Sequence, residues 1–227
     1  MSETAVARIG APKNHSQAPV EFSTVPIWLR RGTARAIRIV CGLPQLTSAV
    51  LPGSPCVLFA NHSSHLDFAA IWAALPASHR ECARPVAGRD YWEKGKLRRW
   101  VGGTFFRAVL IERQKVTVAT NPLQPMLDAL DRGESLIVFP EGTRSPDGEL
   151  QEFKPGLYHV ARARPQVPLV PVWLENLNRI LPKGEALLVP LLARIAVGAP
   201  LHLLPGETKT DFLARARDAV AALGTGK

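Results

Sequence analysis

Two polar segments of the sequence combine residue types that could move a proton and bind an anion. The first is NHSSHLD at residues 61–67, directly after an apolar run. A histidine titrates near neutral pH and can take a proton from a hydroxyl group, while a carboxylate can hold the imidazole in one tautomer. His62 and Asp67 are five residues apart, so they can pair only if His62 lies on a turn and Asp67 begins the following helix. The same residues also suit a plain helix cap, and this segment alone leaves both interpretations open.

The second segment is FPEGTRS at residues 139–145, again after an apolar run. Gly142 lets the backbone approach a ligand, and Thr143 and Arg144 supply donors that suit a phosphate group. Glu141 can hold Arg144 or a neighbouring base in place. An ordinary turn with a surface ion pair would use the same residues. The segment therefore has two interpretations, an anion-binding site and an ordinary turn.

Two further cations follow other elements of the chain. Arg113 stands just past a predicted strand, and Lys154 precedes a predicted helix whose N-terminus favours an anion. Either one alone is typical of a solvated surface charge. Because α/β folds place reactive groups at the carboxyl ends of their strands, Arg113, Arg144 and Lys154 can converge on one ligand.

The sequence offers little support for covalent or metal-dependent chemistry. It has no GxSxG motif, and Cys41, Cys56 and Cys82 lie away from both polar segments. His62 and His65 are three residues apart, but no cysteine or second carboxylate completes a zinc site. We therefore expect chemistry with no covalent enzyme intermediate, no metal and no cofactor.

Alternating strands and helices must position these segments. The pattern predicts strands at residues 56–60, 85–87, 108–111, 136–139, 169–174 and 193–197. It predicts helices at 26–40, 67–75, 91–101, 122–131, 156–164 and 210–223, the last capped by Gly224. The expected fold is a single α/β domain with a mostly buried mixed sheet flanked by helices.

Composition limits the possible partners. The 227 residues include 28 Lys and Arg and 19 Asp and Glu, a net charge of +9, with 46% hydrophobic residues. These values exclude a wholly disordered chain, a coiled coil and a disulfide scaffold. The positive charge favours a nucleic acid, an anionic membrane or a phosphorylated small molecule. The sequence has no nucleic-acid-binding signature, so we expect no nucleic-acid partner.

Together the two segments resemble the glycerolipid acyltransferase family typified by bacterial 1-acylglycerol-3-phosphate acyltransferase. That family carries an NHxxxxD box, matched by Asn61, His62 and Asp67, and a downstream FPEGTRS-like box, matched by residues 139–145. Arg113 fits the arginine that ends the family's middle motif. Arg107 and Leu110 stand where that motif has glycine and phenylalanine, and residues 167–172 match an apolar, proline-bearing motif.

The resemblance implies a function and roles for these residues. His62 would be the general base that activates the hydroxyl of 1-acyl-sn-glycerol 3-phosphate, and Asp67 would orient it. The donor would be acyl-CoA or acyl carrier protein, and the product phosphatidic acid for phospholipid biosynthesis. The phosphate pocket of the acceptor would be formed by Arg113, Glu141, Gly142, Thr143, Arg144 and Lys154. The alternatives are an acyltransferase for another lyso-lipid, either a lyso-aminolipid or a lysophospholipid, and a non-catalytic membrane-surface module.

The N-terminal region suggests how a lipid substrate could be reached. We expect a mobile tail at residues 1–20, an amphipathic segment at 21–48 and the acyltransferase domain at 49–227. The helix at 26–40 has Leu29, Ile37 and Val40 on one face, and its opposite face is basic, with Arg31, Arg35 and Arg38. This pattern predicts peripheral attachment to the anionic, cytoplasmic face of the cell membrane. Packing of the apolar face on the domain is the alternative.

Overall fold

The computed structural model describes residues 24–112, 121–145, 148–177 and 192–225. Within these ranges the strands are β1 (Val57–Ala60), β2 (Ala83–Gly88), β3 (Val109–Ile111), β4 (Ser135–Val138), β5 (Leu169–Glu175) and β6 (Arg194–Val197). They form a six-stranded sheet in the order β3-β2-β4-β1-β5-β6. All neighbouring strands are parallel except β6, which is antiparallel to β5. The predicted mixed α/β fold and its six strands are confirmed.

Helices cover both faces of the sheet. They are α1 (Ile27–Cys41), α2 (Asp67–Ala74), α3 (Ala77–Cys82), α4 (Arg89–Trp92), α5 (Lys96–Arg99), α6 (Leu123–Asp131), α7 (Gly156–Ala163) and α8 (Lys209–Thr225). The sequence pattern missed α3. The predicted helix at 91–101 is wrong, because Gly95 adopts a positive φ of 94° and separates α4 from α5. A π-helical turn, Trp100–Phe105, then leads toward β3.

The prediction that Gly224 caps the last helix is also wrong. Helix α8 runs through Gly224 to Thr225. A β-carbon at position 224 would lie 2.6 Å from Cε2 of Trp173, which belongs to β5. The glycine therefore allows the close packing of α8 on the sheet.

The central strands are buried on both faces. Every residue of β1 and β4 is buried, which explains why both read as continuous apolar runs rather than alternating patterns. Leu58 packs in the core layer that contains Trp72 of α2, whereas Phe59 packs in the opposite layer with Leu157 of α7. The two layers hold the sheet rigidly between helices.

The register of β1 and β4 determines where the two polar segments meet. These strands are parallel, and Phe59 pairs with Val138 near their carboxyl ends. The chain leaves β1 toward His62 and leaves β4 toward Phe139. Both segments therefore start at the same edge of the sheet, as loops that carry function in α/β folds commonly do.

Helix α1 forms where the sequence predicts it, and Leu29 and Ile37 of its apolar face pack against the core, as the alternative to membrane contact proposed. Arg30 is buried, whereas Val40 is exposed. The guanidinium of Arg30 lies 3.2 Å from a carboxylate oxygen of Glu81 and 5.3 Å from the ring centre of Trp72. It also donates a hydrogen bond to the backbone carbonyl of Phe105. These partners come from distant parts of the chain and compensate the buried charge.

A buried carboxylate, Glu134, precedes β4 and binds three arginines. Its oxygens lie 2.8 Å from Arg84, 3.1 Å from Arg107 and 3.0 Å from Arg132. Arg107 has a φ of 53°, a left-handed conformation that favours glycine. This backbone conformation gives a physical reason for the glycine that the resembled family has at this position.

We predict that Glu134→Gln destabilises the protein by about 3–5 kcal/mol, because it leaves the buried charge of Arg84 without its carboxylate. Urea denaturation measures the free energy of unfolding. Arg132→Gln is the control, because Arg132 is the exposed partner of the same carboxylate and its loss should cost less than about 1 kcal/mol. Equal, small losses in both variants would contradict the prediction.

Candidate active site

His62 and Asp67 form a hydrogen-bonded pair at the start of α2. Nδ1 of His62 lies 2.9 Å from Oδ2 of Asp67. The same oxygen accepts the backbone N–H groups of Ser63 at 2.7 Å and Ser64 at 2.8 Å. Asp67 is fully buried, and its Oδ2 atom accepts all three of these contacts. The carboxylate therefore stabilises the turn through the two backbone N–H groups. Its contact with Nδ1 also places the imidazole proton on that nitrogen, so that Nε2 is the nitrogen able to accept a proton.

Three residues of the FPEGTRS segment contact His62. The backbone N–H of His62 donates to Oε1 of Glu141 at 2.7 Å, and its carbonyl accepts the N–H of Ser145 at 2.8 Å. The imidazole stacks on the ring of Phe139, with 4.2 Å between ring centres and 19° between ring planes. The second polar segment therefore positions the histidine of the first.

Glu141 takes a different place from the one that the sequence suggested. Its side chain is buried and does not line the cleft beside His62. Its second oxygen accepts the backbone N–H of Gln151 at 3.3 Å. Burial raises the pKa of this carboxyl group, and the hydrogen bonds from His62 and Gln151 oppose that rise. The structure thus gives Glu141 a positioning task instead of the expected contact with a substrate.

His62 faces a cleft of about 540 Å³. Its polar lining includes three of the predicted anion-binding side chains, Thr143, Arg144 and Lys154. The remaining lining is mostly apolar and includes Phe68, Val86, Trp92, Met126, Val138 and Leu157. A cleft that joins cations to an apolar interior suits an amphiphilic ligand with an anionic head.

Gly142 and Arg113 complete the set of predicted site residues. Gly142 lines the cleft with a φ of 76°, the left-handed conformation that lets the turn bring Thr143 and Arg144 to the rim. A β-carbon at position 142 would also meet Cγ of Lys154 at 3.4 Å. Arg113 lies outside the described residues. Ile111, the last residue of β3, lines the cleft.

Two residues of the first polar segment have contacts that the sequence pattern did not predict. The amide of Asn61 donates to the carbonyl of Leu174 at 2.9 Å and accepts its N–H at 2.8 Å, which ties the end of β1 to β5. His65 lines the cleft and stacks on Tyr91 with 5.4 Å between ring centres. Burial, followed by the charge of Arg144, lowers the pKa of His65. The position of His65 inside the first polar segment was the signal that it could belong to the site. From the sequence we weighed it only as a metal ligand.

The residues that the structure describes contain no cluster of candidate metal ligands. No three side chains of His, Cys, Asp or Glu type lie together there as a metal site would require.

Comparisons with known proteins agree on one family. The family model described as "Acyltransferase" matches residues 43–175. The chloroplastic 1-acyl-sn-glycerol-3-phosphate acyltransferase BAT2 of Brassica napus is 30% identical over 188 residues, 79% of this chain and 48% of that protein. The human 1-acyl-sn-glycerol-3-phosphate acyltransferase beta is 34% identical over 121 residues, 52% of this chain and 40% of that protein. This chain spans about half the length of the curated relatives it matches.

A solved structure shares the fold. The crystal structure of the 1-acyl-sn-glycerophosphate acyltransferase PlsC from Thermotoga maritima superposes with a TM-score of 0.69. It covers 87% of this chain and 78% of the PlsC chain, at 21% sequence identity. The similarity supports the same mixed sheet with flanking helices.

We predict that Glu141→Gln changes how stability depends on pH. A carboxyl group whose pKa is raised by folding stabilises the folded state fully below its unfolded pKa, and this contribution is lost as pH rises through the folded pKa. The variant has no such group, so its free energy of unfolding should gain on that of the wild type as the pH rises above the ordinary pKa of a glutamate, about 4.3. Urea titrations at several pH values measure the difference.

The control for this experiment is Glu152→Gln, an exposed carboxylate in the same connection. It should follow the wild-type pH dependence. Parallel curves for the wild type and Glu141→Gln would show that folding leaves the Glu141 carboxyl group unperturbed.

Proposed function

The chain belongs to the acyltransferase family, and we propose that it transfers a fatty acyl group from a thioester to the free hydroxyl of 1-acyl-sn-glycerol 3-phosphate. The product would be phosphatidic acid for phospholipid biosynthesis. The observation that carries the proposal is the 2.9 Å contact between His62 and Asp67 at a cleft with cationic and apolar walls. The names of the relatives in Brassica napus and human support the same acceptor.

The proposed reaction uses His62 as a general base. Nε2 takes the proton of the acceptor hydroxyl as the hydroxyl oxygen attacks the thioester carbonyl carbon. The new carbon–oxygen bond forms, the carbon–sulfur bond breaks, and the imidazolium returns the proton to the departing thiolate. Asp67 stabilises the imidazolium through Nδ1 and prevents rotation of the ring.

The cations of the cleft would bind the phosphate of the acceptor. Arg144 offers a planar set of donors, Thr143 a hydroxyl group and Lys154 an ammonium group. Arg113 is proposed as a further member on the strength of its motif position. The apolar lining would hold an acyl chain, and either acyl-CoA or acyl carrier protein is proposed as the donor. Product masses from a panel of lyso-acceptors and both donors would identify the substrates.

We further propose that the enzyme works peripherally at the cytoplasmic face of the cell membrane. Helix α1 exposes Trp28 and Ile39, each 70% accessible, beside Arg31 and Arg35. Arg30 of the same helix is buried and cannot contribute to this contact. None of the described helices is long and apolar enough to cross a membrane.

We predict that His62→Ala lowers the rate of acyl transfer about 10²- to 10⁴-fold, because general-base catalysis typically contributes that much. Asp67→Asn should also lose activity through loss of the carboxylate that orients the ring. Labelled acyl-CoA and lysophosphatidate, with product detected by mass, provide the assay. His159→Ala is the matched control, since His159 is exposed on α7. A folded His62→Ala protein with near-normal turnover would contradict the mechanism.

We predict that Arg144→Lys raises the KM for the acceptor about tenfold and changes the donor KM little, because lysine keeps the charge but loses the planar donor set. Steady-state kinetics with each substrate varied in turn separates the two constants. Arg162→Lys on the surface of α7 is the control. A rise confined to the donor KM would assign the cations to the donor instead.

A further inference from the structure

The connection from β2 to β3 carries an unusually exposed surface. Tyr91 and residues 93–100, here called the rim surface, are exposed throughout. They include Leu97, which is 73% accessible, and Trp100, which is 46% accessible. Helix α5 has only four residues, too few to be stable as an isolated helix. A short helix with exposed large apolar side chains is typical of a surface that contacts a partner.

The rim surface is adjacent to the mouth of the cleft. Helix α4 begins directly after the carboxyl end of β2, on the edge of the sheet where His62 lies. The ring of Tyr91 stacks on His65, and both residues line the cleft. The guanidinium of Arg98 lies 4.8 Å from the centre of the Tyr91 ring on α4. A continuous series of stacked groups therefore joins the cleft to α5.

The chemistry of the rim surface is that of a lipid interface. Residues 93–100 contain four basic side chains, Lys94, Lys96, Arg98 and Arg99, and one acidic side chain, Glu93. Glu93 pairs with Arg89 at 2.7 Å. Tyrosine and tryptophan favour the headgroup region of a bilayer, and the long stems of lysine and arginine extend their charges to phosphate groups. An acidic protein would match the charges but leave Leu97 and Trp100 without an apolar environment.

The rim surface is also fixed in place. The ring of Trp100 lies 6.1 Å from that of Phe105, centre to centre. The carbonyl of Phe105 is in turn the acceptor for Arg30 of α1. Contact with a membrane would therefore require no rearrangement of the π-helical turn.

We propose that the rim surface docks on anionic lipid and holds the mouth of the cleft against the bilayer, so that a lysolipid enters directly from the membrane. This assignment deepens the proposed function, because it assumes that the acceptor is a membrane lipid. It adds to α1 a second contact, located at the cleft itself.

The test compares two double variants of identical chemistry. The rim variant, Leu97→Glu with Arg99→Glu, changes the proposed surface. The control, Leu204→Glu with Arg162→Glu, changes an exposed leucine, 54% accessible, and an exposed arginine near the opposite end of α7 from the cleft. Co-sedimentation with phosphatidylcholine–phosphatidylglycerol vesicles is measured without substrate. We expect the rim variant to partition about tenfold more weakly than the wild type, and the control to lose much less.

Activity is measured separately on two forms of the acceptor. The rim variant should lose turnover of lysophosphatidate held in vesicles and keep turnover of a short-chain acceptor dispersed in detergent. Vesicle binding does not depend on acyl transfer, so an absence of activity in the wild type would refute the proposed function without altering the binding result. If the rim variant melts early, Leu97→Ser with Arg99→Gln, set against Leu204→Ser with Arg162→Gln, makes the same comparison.

Three results would overturn the proposal. Unchanged vesicle binding by the rim variant would leave α1 as the membrane contact. Equal losses in the rim and control variants would show that total charge, not this surface, determines binding. Loss of binding to an acidic acyl carrier protein, with vesicle binding intact, would make the rim surface a protein-docking site.

Discussion

The parallel pairing of β1 with β4 is the constraint on which the site depends. It brings the chain that follows each strand to one edge of the sheet, where Glu141, Ser145 and Phe139 contact the backbone and ring of His62. The histidine is therefore located by two segments almost eighty residues apart in the chain. A change in the register of either strand would move His62 away from the residues that hold it.

Buried charges recur in this small domain, and their partners come either from the same turn or from distant segments of the chain. Asp67 accepts hydrogen bonds from its own turn, Glu134 binds arginines from several elements, and Arg30 lies between Glu81 and Trp72. Glu141 differs from these, because desolvation raises its pKa and the backbone donors His62 and Gln151 offset that rise only in part. A carboxylate that costs stability but positions the proposed general base is consistent with the trade-off between stability and activity at functional sites.

The active cleft and the exposed apolar side chains fit a single task. The cations of the cleft and its apolar lining suit the two ends of the proposed lysolipid acceptor, and Tyr91 belongs both to the cleft and to the rim surface. An enzyme whose substrate lies in a bilayer benefits when the entrance of its cleft meets the lipid surface, because the acyl chain then need not cross water. Gly95, with a φ of 94°, separates α4 at the cleft from α5, which carries the exposed Leu97.

The sequence by itself determined the six strands and most of the helices, because apolar runs and glycine or proline boundaries are local signals. It also located the two polar segments, and the motif carried enough information to identify the family. It did not determine the task of Glu141, the burial of Arg30 or the close packing at Gly224. Each of these depends on a partner far along the chain: His62 for Glu141, Glu81 for Arg30 and Trp173 for Gly224. Only the tertiary structure decided them, because burial of a charge or omission of a side chain becomes favourable only once the fold brings that partner into contact.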